Sequence, residues 1–222
     1  MPIAGTGMLL TSMDINASDE ADFNRWYDRE HLEERVAIEG FIEARRYVAE
    51  QGSPKYLCLY STETIEVLDS EAYRARLAAP TEWSKATMAQ FKNMIRSVAR
   101  ITISKGTGRG AVLGVIRLRP KAGQDEALRR ALQVELDPAD LDGIISMHLL
   151  EGDAALSGPT AELPVTARGA DWFVLIDGTE GHAIATLMTT RFAAIDGPLA
   201  TQISVGIYRL MWDLSRADIT QS

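Results

Sequence analysis

One order of secondary structure occurs twice along the chain, and this repetition constrains the fold more than any other feature of the sequence. Residues 7–15 alternate as a strand, residues 23–38 have helical spacing, and a second strand starts directly after Gly40. A turn at 51–54 leads to a strongly apolar strand at 55–62. Helical segments at 66–78 and 81–94 follow, separated by Pro80, and a strand at 97–104 ends the pattern. Beyond the glycine-rich stretch 105–110 the order repeats: strand 111–119, helix 125–136, strand 144–150, an extended loop 151–169, strand 170–177, helix 180–195 and strand 203–211. Each copy reads β-α-β-β-α-β, which makes a four-stranded antiparallel sheet with both helices on one face, the ferredoxin-like arrangement. The opposite face of such a sheet is bare and must be covered. The expectation is therefore an α+β protein of two tandem ferredoxin-like units, residues 1–105 and 111–215. They would pack sheet-to-sheet as an intrachain α/β barrel, with a ligand space between the two bare faces.

Composition narrows the function classes. A net charge of -8 with no basic stripe argues against nucleic acid as a partner. The single cysteine, Cys58, sits in an apolar strand pattern and leaves no pair for an intramolecular disulfide, which fits a reducing compartment. No apolar run reaches the roughly 20 residues needed to span a bilayer, and the first residues lack a basic segment ahead of an apolar one. These readings point to a cytoplasmic location and to no membrane partner. The stretch Lys105-Gly-Thr-Gly-Arg-Gly110 lacks the spacing of a phosphate loop and is read as a linker. The three histidines, His31, His148 and His182, have no local metal-ligand spacing, so no metal site is expected.

The chemistry-bearing residues concentrate in the first copy. Phe23, Trp26, Tyr27, Glu30, His31 and Glu34 share one side of the first helix by their spacing of three and four. In the next strand Glu43, Arg45 and Tyr47 share one face, while Ala44, Arg46 and Val48 share the other. A charged residue on the barrel-facing side of a strand awaits an anion. For His31 two readings stand side by side: a cap at the carboxyl end of the helix, or a proton carrier helped by Glu30 or Asp28. Tyr56, Cys58 and Tyr60 alternate with Leu57 and Leu59; with the leucines toward the helices, Tyr60 would line the cavity. The catalytic candidates are thus His31, Glu30, Asp28 and Arg45, and the ligand-binding candidates are Trp26, Tyr27, Tyr47 and Tyr60. The second copy's first helix, Asp125-Glu-Ala-Leu-Arg-Arg-Ala-Leu-Gln-Val-Glu-Leu, carries no Trp-Tyr and no Glu-His. The only sizeable polar-lined pocket is therefore expected beside His31.

The duplication, together with Phe23-Asn-Arg-Trp-Tyr-Asp-Arg-Glu-His-Leu-Glu-Glu-Arg35 and Gly40-Phe-Ile-Glu-Ala-Arg-Arg-Tyr47, resembles the dimeric α/β-barrel superfamily, and within it the group of proteins like EthD. Lys55-Tyr-Leu-Cys-Leu-Tyr60 and Ala79-Pro-Thr-Glu-Trp83 match the same group. The fold resemblance spans nearly the whole chain, and the motif resemblance only its first half. It implies a cavity with His31 at its mouth and a degenerate, structural second half. Relatives include cofactor-free oxygenases, isomerases, haem-degrading enzymes, lyases and members without assigned activity. The function expected is a small-molecule enzyme acting on an apolar, aromatic or polyketide-like compound by proton transfer, without metal or organic cofactor. The enzyme class stays open between monooxygenase, isomerase and lyase. A non-catalytic ligand-binding or accessory protein is the alternative, haem ligation by His31 or His148 is a further one, and a homodimer is left open.

Overall fold

The computed structural model describes residues 3–158, 171–193 and 195–219. Its strands are β1 (Gly7–Asp14), β2 (Phe41–Gln51), β3 (Tyr56–Thr62), β4 (Lys92–Gly106), β5 (Val112–Pro120), β6 (Ile144–Gly152), β7 (Trp172–Gly178) and β8 (Ala200–Ser215). The first helix region is α1 (Glu20–Trp26), a π turn (Tyr27–His31) and α2 (Leu32–Val36) in unbroken succession. A 3-10 turn (Ile65–Asp69) precedes α3 (Glu71–Ala78) and α4 (Glu82–Met88); α5 (Asp125–Glu135), α6 (Gly181–Thr190) and α7 (Arg216–Ile219) follow.

The strands form a closed antiparallel barrel in the order β1-β3-β2-β8-β5-β7-β6-β4. Within it, β4-β1-β3-β2 and β8-β5-β7-β6 are two four-strand runs of the same connectivity. They meet along two seams. At one, β2 pairs with β8 from Glu43↔Ser215 to Gln51↔Ile207; at the other, β4 pairs with β6 from Ala99↔Gly152 to Gly106↔Ser146. The expected face-to-face packing is thus corrected to edge-to-edge closure. The reason is the backbone: an open sheet leaves a row of unpaired N–H and C=O groups at each edge, and closure pairs these edges with one another.

Several boundaries differ from the sequence reading. The second helical segment of the first half stops at Met88 rather than residue 94, and Asn93 has φ 51, a left-handed backbone that no helix continues through. Strand β4 therefore starts at Lys92 and absorbs Lys105 and Gly106, which shortens the linker. Strand β8 runs over 16 residues, far beyond the expected 203–211. Most of the expected loop 151–169 lies outside the described residues.

Strand alternation sorts the core into three clusters. On the outer face of the first run, Leu9, Met13, Tyr56, Cys58, Tyr60, Met94 and Val98 pack under the helices with Phe23, Trp26 and Tyr27. A second cluster joins α5 and α6 to the other run through Leu128, Leu132, Ile184 and Leu187. The third lies inside the barrel and includes Met8, Leu10, Leu57, Leu59, Leu113, Val115, Phe173 and Leu175. An eight-stranded barrel is just wide enough for side chains to fill, and these do so. The ligand space expected between the bare faces is occupied by core.

One end of the interior is polar. Arg45 lies 3.5 Å from Asp177, 3.8 Å from Glu43 and 3.2 Å from the Tyr47 hydroxyl, to which it donates. Arg109 pairs with Glu43. The His148 ring lies 3.5 Å from Asp177 and bonds Ser146 and Ser104, each at 3.0 Å. Burial lowers the His148 pKa, so its ring is held neutral. The network ties β2 to β6 and β7, and therefore one four-strand run to the other. Replacing Arg45 by Met would leave Glu43 and Asp177 buried without their central cation. The expected loss is about 3–5 kcal/mol of stability, read from urea unfolding; a loss under about 1 kcal/mol would show the network to be dispensable.

Candidate functional site

The helix that carries His31 is widened where it matters. A π turn at Tyr27–His31 interrupts the α-helical spacing; such turns are rare and often mark functional sites. Residues five apart in an α-helix point well away from each other at 3.6 residues per turn. The wider turn instead brings Trp26 and His31 into a stack, with centroids 4.0 Å apart and planes 29° apart. Tyr27 meets the same imidazole edge-on at 5.1 Å. The Trp26 indole is itself fixed: its Nε1 donates to Glu30 Oε1 and to Ser84 Oγ, both at 3.1 Å. The same carboxylate oxygen accepts from Thr81 Oγ1 at 2.6 Å and Ser84 Oγ at 3.0 Å. Thr81 is also the N-cap of α4 and accepts from the Ser84 amide at 3.0 Å. Glu30 thus clamps α4 onto the Trp26 ring that backs His31.

His31 is 8% exposed and borders a small cavity of about 30 Å³ between the helices and the outer face of the sheet. Thr11, Arg35, Tyr60, Tyr73 and Arg96 also line it, with an apolar remainder that includes Met88 and Phe91. Three buried polar atoms here have no hydrogen-bond partner: Thr11 Oγ1, His31 Nδ1 and Arg35 Nη1. The Tyr60 hydroxyl also forms no hydrogen bond of ordinary geometry, although it is near enough to Tyr27 for each to affect the other's ionisation. Buried polar groups are almost always paired, and each exception calls for a reason. Several exceptions around one cavity describe a site that presents an acceptor, a cationic donor and hydroxyls to a polar group.

The electrostatics fix the resting protonation state. Burial, and then the positive charges of Arg35, Arg46 and Arg76, hold the His31 pKa well below its ordinary value of 6.5. Burial pushes Tyr60 and Tyr27 well above 10 and raises the Cys58 thiol. At neutral pH the cavity therefore presents a neutral imidazole and un-ionised phenols next to the guanidinium of Arg35. Arg96 is engaged at the far wall, donating to the Leu156 carbonyl at 2.7 Å and the Tyr73 hydroxyl at 3.3 Å.

The candidates named from the sequence separate in space. Trp26, Tyr27, His31 and Tyr60 meet at this cavity. Tyr60 does so with Leu57 and Leu59 turned into the barrel, the reverse of the orientation assumed for it, because the cavity lies on the helix side. Arg45 and Tyr47 face the barrel interior, so the sheet itself separates them from His31 and they cannot share a ligand with it. Asp28 is half-exposed and accepts from Arg46 at 3.2 Å and from Trp212 Nε1 at 2.9 Å, a structural tie across the seam with β8. Glu30 holds Trp26 and α4 and has no contact with the imidazole. Arg35 and Arg96 were missed. Arg35 lies four residues after His31 on the same helix, and Arg96 alternates with Met94 and Val98 on the helix-facing side of β4, so spacing alone could have found both.

The sizes of the pockets also differ from expectation. The cavity beside His31 holds about one water molecule, whereas a cleft of about 460 Å³ lies between α2 and α3. A groove of about 220 Å³ beside α5 is lined mainly by apolar side chains, among them Leu128, Leu132 and Phe192. The expectation that the only sizeable polar-lined pocket lies beside His31 is overturned: a pocket of about 220 Å³ lined by Arg100, Asp125, Arg129, Glu151 and Asp153 lies beside α5. Among the described residues no group of three or more His, Cys, Asp or Glu is placed to hold a metal ion, and no helix is long and apolar enough to cross a membrane. A porphyrin does not fit around His31, because Trp26 stacks on the ring, Tyr27 meets it edge-on and the adjoining cavity has space for about one water.

No protein-family model matches the chain, and no curated protein matches its sequence. Solved structures do. A candidate monooxygenase from Lactobacillus acidophilus NCFM superposes with a TM-score of 0.61 at 10% identity, covering 95% of this chain and 97% of the other. An anthrone oxidase-like protein gives 0.62 at 14% identity, covering 96% and 94%. A candidate chlorite dismutase gives 0.58 at 11% identity, covering 99% of each chain. At these identities the likeness is one of fold alone: an α+β chain built on a closed antiparallel barrel of eight strands.

The pH dependence of the site follows from the direction of the His31 shift. The folded-state pKa lies below the unfolded value, so beneath pH 6.5 the unfolded chain binds the proton more readily and stability falls as pH falls. His31→Asn removes this contribution. Between about pH 7 and pH 5, wild type is expected to lose more stability than His31→Asn in urea titrations, and the His31 imidazole is expected to stay neutral by NMR at pH 6. A His31 resonance titrating near 6.5 would contradict the assignment.

Proposed function

We propose that this protein is a small-molecule enzyme that removes a proton from an enolisable aromatic or polyketide-like ketone or phenol, with His31 as the base. The observation that carries the reading is the set of unpartnered polar atoms, His31 Nδ1, Arg35 Nη1 and Thr11 Oγ1, around one buried cavity. A neutral imidazole protonated at Nε2 offers Nδ1 as acceptor. Taking the substrate's proton there creates an imidazolium, which burial alone disfavours. The enolate formed in the same step lies beside it and beside Arg35, so the ion pair offsets that cost. Arg35 and the Thr11 and Tyr60 hydroxyls are placed to receive the developing negative charge on oxygen, the electrostatic contribution that is commonly the largest in such steps. Trp26, stacked on His31 and held by Glu30, orients the ring. Whether the enolate then meets oxygen, is reprotonated elsewhere or expels a group depends on the compound bound. The likeness in fold to a candidate monooxygenase and an anthrone oxidase-like protein supports an enolate of this kind.

In this reading the chain is a tandem form of the EthD-like group. Residues 1–105 and 111–215 supply the two halves that separate subunits supply in a dimeric barrel, and the first half carries the active cavity. Barrel closure within one chain removes the need for a second copy to complete the sheet. The rival reading, a ligand-binding accessory protein using the same cavity, differs in one measurement. Anthrone in heavy water under argon should exchange deuterium at its enolisable carbon faster with the protein than without it. His31→Ala should abolish the acceleration, and Arg35→Met should lower it by about 10²–10³, while Arg45→Lys leaves it within about twofold of wild type. Binding of anthrone with no accelerated exchange would establish the accessory reading instead.

A further inference from the structure

The His31 cavity holds about one water, so any larger ligand must extend beyond it. On the outer side of the same helices, between α2 and α3, lies a shallow, open cleft of about 460 Å³. The two spaces are back to back on the same helices: Arg35, Tyr73 and Leu77 line the inner cavity, and their chain neighbours Glu34, Ala72 and Arg76 line the outer cleft. Ala37, Ala72, Ala75 and Ala79 give the cleft a floor of methyl groups, and short side chains let a flat body approach the helix backbones closely. Glu34 and Arg76 form an ion pair at 2.6 Å across the gap between the helices.

We propose that this cleft is the outer part of the ligand site, that it takes the flat apolar body of a compound whose polar head sits at His31, and that α3 is the movable wall latched by Glu34–Arg76. The proposal rests on the reading that the His31 cavity binds a ligand. Helix α3 is suited to such movement. Of its eight residues only Tyr73 is buried. That side chain is held by its ring, 5.6 Å from Phe41, and by the bond its hydroxyl accepts from Arg96. Elements with few buried apolar contacts open at the lowest cost. The helix also ends at Ala78 ahead of Pro80, so no continuous helix couples it to α4, which Glu30 clamps to Trp26. The latch lies on the side that moves and the clamp on the side that stays. A compound that enters separates Glu34 from Arg76 and leaves both at the rim, where they favour hydroxyl or keto substituents along the edge of its body.

Chemical modification of histidine tests the latch without any substrate. Diethyl pyrocarbonate acylates a neutral imidazole that it can reach, and the sites are read by peptide mass spectrometry. At about pH 8, Arg76→Ala and Glu34→Gln should each speed modification of His31 about two- to fivefold, the range expected for releasing a partly exposed ion pair. Exposed His182 and barrel-enclosed His148 serve as internal references and should not change. The cleft is tested by calorimetric binding of 9-phenanthrol, a flat tricyclic phenol: Ala75→Trp should weaken it at least about tenfold, while His31 remains modifiable at the wild-type rate. Unchanged His31 modification in both latch variants would overturn the movable wall, and unchanged phenanthrol binding in Ala75→Trp would overturn the outer subsite. Failure of the proton-transfer reading shows separately, as accelerated deuterium exchange that survives in His31→Ala.

Discussion

Closure of the sheet along the β2–β8 and β4–β6 seams is the constraint on which the rest of the structure depends. It gives every strand one face toward a filled interior and one face toward helices, and with a side-chain period of two it assigns each residue to one or the other. The interior of an eight-stranded barrel is small, and leucine, valine, methionine and aromatic side chains occupy it. A ligand therefore has room only on the other side, under the helices. The same parity that turns Leu57 and Leu59 inward turns Tyr56, Cys58 and Tyr60 outward, and Tyr60 reaches the His31 cavity for that reason.

Two buried polar clusters result, and they serve different ends. The cluster around Arg45, Glu43, Asp177 and His148 is inside the barrel, nearly balanced in charge and paired across the two runs of strands. Its partners face one another, as expected of a device that holds halves in register. The cluster around His31 is on the helix side. Its polar atoms face a cavity, and positive charge surrounds a histidine that is kept neutral. Both clusters keep buried polar atoms without a hydrogen-bond partner, Glu43 Oε1, Arg45 Nη2 and Asp177 Oδ2 in the first and Thr11 Oγ1, His31 Nδ1 and Arg35 Nη1 in the second, but only the first sets opposite charges against one another. The π turn belongs with the second. By widening the helix at Tyr27–His31 it sets the imidazole on the Trp26 ring, and Glu30 holds that ring against α4.

Much of the architecture was legible in the sequence because it is written locally. Strand alternation, the helical spacing of Phe23, Trp26 and Tyr27, and the punctuation at Gly40, Pro54 and Pro80 give the order of elements. The way the two runs join was not legible, since β2–β8 and β4–β6 pairings link residues 40 or more positions apart and no local pattern encodes them. Arg45 stands out in the sequence for a related reason: a charge on the bare face of a sheet looks like a ligand site until the barrel interior is known to be packed. The π turn leaves no signature in composition, and the stacking of Trp26 on His31 depends on it. Arg35 and Arg96 were within reach of spacing arguments once the helix side of the sheet was known to hold the cavity.

The central claim is that the ligand site lies between the first helix and the outer face of the sheet, and not inside the barrel. A crystal structure of the protein soaked with 9-phenanthrol tests it most directly. The account predicts the phenol oxygen within hydrogen-bond distance of His31 Nδ1 and Arg35, the ring system in the alanine-lined cleft, and α3 displaced from α2. Density for the compound in the groove beside α5, or next to Arg45 within the barrel, would contradict it.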